Sequence, residues 1–82
     1  MRMEEQPHPT REFVVQPKSR AESSLIRELP LGPRAWVSLI LRDGAPIRPG
    51  GSLQLAANDR VQILASPDDL KTLTSLFAQA AN

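Results

Sequence analysis

Apolar positions in this chain gather into short runs, separated by proline, glycine and polar clusters. Phe13, Val14 and Val15 make the first run, which has strand character and stops at Pro17. Ser19-Arg20-Ala21-Glu22 then follows the S-x-x-E capping-box pattern. Leu25, Ile26 and Leu29 recur at the spacing of one helical face, so a short helix is predicted up to Pro30. Gly32-Pro33 reads as the turn beyond it. Residues 36–42, WVSLILR, read as a strand with Val37, Leu39 and Leu41 on one face and Trp36 and Ile40 on the other. A run apolar on both faces suits a central strand covered on both sides. Asp43-Gly44 is a two-residue hairpin signal, because both residues tolerate positive φ. The returning segment, residues 45–48, contains Pro46 and is bounded by Pro49, which predicts an edge or short irregular strand.

Gly50-Gly51 turns the chain again, Leu53 and Leu55 anchor a short extended piece, and Asn58-Asp59 makes a further turn. Residues 60–65 alternate, with Val61, Ile63 and Ala65 predicted inward. The last element carries the fullest set of signals. Ser66 stands as N-cap, Pro67 as the first helical residue, and Asp68 and Asp69 against the positive end of the helix dipole. Leu70, Leu73, Leu76, Phe77 and Ala80 then line one face. The order strand, helix, strand, strand, short strand, strand, helix predicts an α+β fold: a small single domain with a mostly antiparallel sheet and two helices. Residues 1–10 hold two prolines and almost nothing apolar, and are expected to be a disordered tail before a domain at residues 11–80.

Composition narrows the function classes. Eighty-two residues suffice for one domain, and a chain this short buries only about 60–65% of its unfolded surface. Domains of this size usually gain support from disulfides, a metal or a partner subunit. The chain has no cysteine, and its one histidine is His8 in the proline-flanked N-terminal stretch, so a homodimer is the expected support. A net charge of +1, with acids and bases mixed, lacks the clustered basic footprint of nucleic-acid binding. No apolar run approaches the ~18–20 residues of a membrane span, and MRMEEQPHPT lacks the apolar stretch of a signal peptide. No catalytic role is expected: Ser19, Ser23, Ser24 and Ser38 stand in no histidine or lysine arrangement that spacing identifies. No metal is expected either, since the first helical turn already accounts for Asp68 and Asp69.

The ordered phrases of the chain resemble the TrkA-C (RCK C-terminal) domain family. Arg27-Glu28-Leu29-Pro30-Leu31 stands where that family ends its first helix, and Leu41-Arg42-Asp43-Gly44 where the central strand runs into a charged residue and glycine. Ile47-Arg48-Pro49 matches the proline-ended segment, and Leu55 with Asn58-Asp59-Arg60-Val61 the approach to the next strand, Asn58 replacing the usual glycine. The resemblance covers about residues 11–79. It implies a dimeric, ligand-sensing regulatory domain of a potassium transport or cation–proton antiport protein, held at the cytoplasmic side of the inner membrane by the transporter portion of its parent. An antiporter is the preferred parent. The alternative is a dimerisation module that binds nothing small.

In relatives that bind cyclic dinucleotides such as cyclic di-AMP, a ligand lies in the cleft between copies. The matching positions here are Arg34, Ala35, Trp36, Val37, Ile47 and Pro49. The resemblance casts Arg34 as a phosphate partner and Trp36 as a stacking surface or cleft filler. Some binders carry a polar amide where Val37 stands, a departure that bears on cyclic di-AMP itself. No bound cofactor is implied, since G-x-G-x-x-G is absent. Arg42 and Arg48 are expected to face water, and Asp59 to stabilise its own turn.

Overall fold

The sheet is assembled by short strands whose ends are set by turn residues, as described for residues 10–32 and 35–79 in a computed structural model. The expectations placed on the N-terminal nine residues, Pro33, Arg34 and Ala80 lie outside the described residues. Strands β1 (Thr10–Val14), β2 (Trp36–Arg42), β3 (Ala45–Ile47) and β4 (Arg60–Leu64) form one antiparallel sheet in the order β1-β4-β2-β3. The β2–β3 hairpin turns on Asp43 (φ 55°) and Gly44 (φ 80°), the two positive angles that the Asp-Gly pair predicts. Pro46 lies in β3, which is an edge strand of three residues, as its missing donor requires.

Helix α1 (Leu70–Phe77) follows a 3-10 turn at Pro67–Asp69. The Ser66 hydroxyl accepts from the Asp68 backbone N–H at 3.3 Å, so the N-cap forms where the sequence places it. Leu73, Leu76 and Phe77 are buried on the helix face that meets the sheet. Phe77 stacks on Phe13 of β1 with centroids 5.2 Å apart. Carbonyls of the last helical turn have no partner within the helix. Here those of Leu76 and Phe77 accept from the N–H groups of Ala21 and Gln16, which ties the end of α1 to the segment after β1.

The first helix is shorter than its sequence signals. The Glu22 N–H does donate to the Ser19 hydroxyl, at 3.3 Å, but the Glu22 carboxylate accepts from the Lys18 N–H instead of closing the box. Ser23 then adopts φ 68° and stops the helix. Its N–H donates to the Leu55 carbonyl, Leu55 N–H to Ser24, Ile26 N–H to Leu53 and Arg27 N–H to Gly51. Backbone donors that a helix would use along itself are spent on the neighbouring extended segment, and only a 3-10 turn at Ile26–Glu28 remains. Adjacent serines favour this outcome, because their side chains compete with helical hydrogen bonding. The α+β architecture stands, with one α-helix and two 3-10 turns among the described residues.

The faces of β2 also differ from strict alternation. Val37 pairs with Ile63 and Leu39 with Gln62, so a bulge at Ser38 shifts the register by one residue. Val37 and Ile40 share the core face, while Trp36, Leu39 and Leu41 share the other. The Ser38 hydroxyl donates to the Gln62 carbonyl at 3.2 Å, giving that carbonyl a partner where the ladder is interrupted. Among the described residues the core sits on one side of the sheet. Val15, Ile40, Val61, Ile63 and Ala65 meet Leu73, Leu76 and Phe77 there, with Ala21, Leu29 and Leu55 closing the rim. Among the described residues, β2 is therefore covered on one face, not on both.

Candidate functional site

The residues that the sequence nominates fall on both sides of the sheet. Trp36 opens β2 opposite Leu64 and is 57% exposed on the outer face. Ala35, one residue earlier, is buried. Val37 and Ile47 are half-buried and pack against the chain's own core, Ile47 lying opposite Ile40. Pro49 is half-buried just beyond β3. Arg34 lies outside the described residues. Trp36 is thus separated by the sheet from Val37 and Ile47, and it presents a large apolar surface to solvent at this end. The bulge at Ser38 produces this division.

Sequence periodicity missed the rest of the outer face. By register, Trp36 and Leu64 form one cross-strand row with Thr10; Leu39 and Gln62 form the next with Glu12; Leu41 and Arg60 form a third with Val14 and Pro46. Leu39, Leu41 and Leu64 are half-buried, and Val14 is 37% exposed. The only sequence signal for this arrangement is Ser38, the lone polar residue inside an apolar run, and it became legible only with the pairing partner known.

Electrostatics concentrates at the far end of β2. Arg42 is not solvated as expected: its Nε donates to Asp59 Oδ1 at 2.9 Å and its Nη2 to Oδ2 at 2.8 Å and to the Gln54 carbonyl at 3.1 Å. Asp59 is buried, and its carboxylate also accepts from the Ala56 N–H at 2.8 Å, so it serves its own turn and the ion pair together. Burial alone pushes the Asp59 carboxyl up; the Arg42 and Ala56 hydrogen bonds and the guanidinium charge outweigh this and hold it below its ordinary value. Arg42 is raised, first by its hydrogen bond to Asp59. Arg48 is exposed, as expected.

The hollows formed by the described residues include a larger and a smaller one. One, of about 360 Å3, lies between the Asp43-Gly44 turn and Asn58, itself at φ 75°, and is lined by Leu41, Asp43, Gly44, Asn58 and Arg60. The other, of about 260 Å3, lies beside Phe13, Val14, Gln16, Thr74 and Phe77. Neither includes a nominated site residue. Among the described residues no group of three or more His, Cys, Asp or Glu side chains is placed to hold a metal ion, and no helix is long and apolar enough to cross a membrane.

Comparison with known proteins bears on the fold. The family model of the TrkA-C domain matches residues 10–78. A solved structure described as "Structure of RCK domain with cda" superposes with a TM-score of 0.73 at 22% sequence identity, over 84% of this chain and 97% of that one. At that identity the likeness is one of fold. No curated protein matches the sequence.

Proposed function

Since the chain belongs to the TrkA-C domain family, whose members are generally regulatory in potassium transport, we propose that it is the ligand-sensing, dimeric regulatory domain of a potassium transport or cation–proton antiport protein. In this reading the domain carries out no reaction. It sits on the cytoplasmic side of the membrane, joined to the transporter portion of its parent, and residues 11–80 form the working unit.

The observation that carries the reading is the exposed Trp36 at the start of β2. An indole 57% open to solvent in a chain with one tryptophan has unused apolar surface at the position where the family resemblance puts the cleft between copies. A ligand held there stacks on Trp36 and reaches a phosphate partner at Arg34. Val37 contributes no polar group, and it points to the core, which favours a ligand bound by stacking and charge over one read by an amide at that position. The neighbour's description names an RCK domain with cda, which supports including cyclic dinucleotides among the ligands tried.

Binding to the native state raises the unfolding midpoint by mass action. Thermal-shift measurements against cyclic dinucleotides, mono- and dinucleotides and potassium ions test the reading. A saturable rise with one ligand, lost in Trp36→Ala, is expected. A chain that dimerises yet responds to none of them would favour the dimerisation module with no small ligand.

A further inference from the structure

The end of the sheet opposite Trp36 carries chemistry that the Trp36 reading leaves unused. Leu41 of β2 lies beside Arg60 of β4 on the outer face. Alternation turns the next pair, Arg42 and Asp59, to the opposite side, where their paired hydrogen bonds join the two chains. Asp43 and Asn58 follow, and both adopt left-handed backbone, at φ 55° and 75°. Chains that turn away at successive positions open the end of the sheet, while the ion pair behind keeps them from spreading. The result is the hollow of about 360 Å3 lined by Leu41, Asp43, Gly44, Asn58 and Arg60. A Cβ on Gly44 would meet nothing within 4 Å, so the turn leaves room on that side.

The lining is charged in both senses. Asp43 offers a carboxylate, Arg60 a guanidinium and Asn58 an amide, beside a half-buried Leu41. Asp43 and Arg60 share the hollow without pairing with each other; among the described residues the ion pair is Arg42–Asp59.

We propose that this hollow binds a free α-amino acid. Arg60 takes the ligand's carboxylate through its planar fork of donors, Asp43 takes the ammonium, and the side chain lies on Leu41. The site is separate from the Trp36 cleft, and neither reading depends on the other.

Spacing supports a ligand with both charges. Asp43 and Arg60 stand diagonally across the strand pair, an arrangement that sets residues roughly 7–8 Å apart. A charge-assisted hydrogen bond spans about 2.8 Å. Standard bond lengths put the ammonium nitrogen of an α-amino acid about 3 Å from its carboxylate oxygens. One such molecule therefore bridges two head groups held on opposite sides of a gap of this size. Other occupants fit less well. A lone anion meets Asp43, and a lone cation meets Arg60. A nucleobase wants an aromatic face to stack on, and none of the lining residues is aromatic. Both charges are exposed, where ion pairs are weak, so the affinity is roughly millimolar.

Occupancy reaches beyond the hollow. The Asn58 N–H donates to the Val15 carbonyl at 2.7 Å, and the Asp59 carbonyl accepts from the Val15 N–H. A ligand that clamps the Asp43 turn to Asn58 therefore steadies the end of β1 as well.

NMR titration of the isotope-labelled 82-residue chain with L-valine tests this. Valinamide, which lacks the carboxylate, and isovalerate, which lacks the ammonium, are titrated alongside. Shifts that saturate with valine at the backbone amides of Asp43, Gly44, Asn58 and Arg60 are expected. Each half-ligand should bind about tenfold more weakly, the effect of losing one charged hydrogen-bonded contact. Asp43→Asn, which keeps a residue tolerant of left-handed backbone, and Arg60→Gln should each weaken valine by about tenfold. Arg48→Gln, exposed beyond β3, should leave it unchanged. The spectra show whether each variant is folded, and the half-ligand comparison in the wild type decides where one is not. Absence of a saturable shift at the four amides overturns the proposal, as does either half-ligand binding as tightly as valine. Shifts confined to the Trp36 indole overturn it too and leave the Trp36 reading standing.

Discussion

Arg42 and Asp59 meet through two parallel hydrogen bonds, Nε to Oδ1 at 2.9 Å and Nη2 to Oδ2 at 2.8 Å. This forked geometry is the strongest form of an arginine–carboxylate contact. It joins the end of β2 to the turn before β4, and the bond from Nη2 to the Gln54 carbonyl adds the extended segment to the same guanidinium. The Asp59 N–H donates to Ala56 O, and its carbonyl accepts from the Val15 N–H, so β1 is held at this point too. One buried carboxylate thus fixes where several segments converge, at the end of the sheet away from Trp36.

Replacing Asp59 with alanine leaves the Ala56 N–H and the guanidinium without their acceptor. Arg42 stays partly exposed, with 34% of its side chain accessible, and water takes over some of the loss. The expected cost is about 2 kcal/mol, at the lower end for breaking a charged, hydrogen-bonded contact. In a domain this small that is a fall of roughly 10 °C in Tm, measurable by thermal denaturation monitored by circular dichroism.

The same carboxylate gives stability a pH dependence of definite sign. Its folded pKa lies below the ordinary 3.8. The folded state therefore holds its proton less tightly than the unfolded state, and stability rises with pH wherever the unfolded form is still protonated. The Asp59 contribution is complete above the unfolded value and is lost as pH falls through the folded one. Denaturant unfolding followed from pH 7 down to about pH 2 should show this loss in the wild type, beginning near the ordinary carboxyl value and growing below it. In Asp59→Asn that part of the acid sensitivity should be absent, against a lower stability at neutral pH.

The hairpin depends on a left-handed pair. Gly44 has φ 80° with open space where a side chain would go, so Gly44→Ala meets backbone strain and no clash. A cost of about 1 kcal/mol is expected, while Asp43→Gly, at φ 55°, should be close to neutral. Urea midpoints of the two variants check the contrast.

Features set by neighbouring residues were legible in the sequence. Asp43-Gly44 specifies its turn, Ser66-Pro67 starts a helix, and Pro46 makes an edge strand, because each acts through its own backbone. Features set by distant pairing were not. Ser19 and Glu22 spell a capping box, yet Ser23 and Ser24 bond to Leu55, and the helix gives way. Arg42 and Asp59 stand 17 residues apart, with nothing local to mark the contact. The faces of β2 follow from a bulge, which exists only as a relation between two strands, so alternation put Leu39 and Leu41 with Val37 when they lie with Trp36. The nominated site came from family resemblance, and its split across the sheet follows from that same bulge.

The single tryptophan also reports on the proposed function, in which Trp36 lies in the cleft between two copies. Its emission can be recorded as the wild-type protein is diluted from submillimolar to nanomolar concentration, alongside sedimentation of the same samples. Emission characteristic of a shielded indole is expected at high concentration, shifting to the red as the dimer dissociates. Emission that stays fixed across a range in which sedimentation shows dimer giving way to monomer would contradict it.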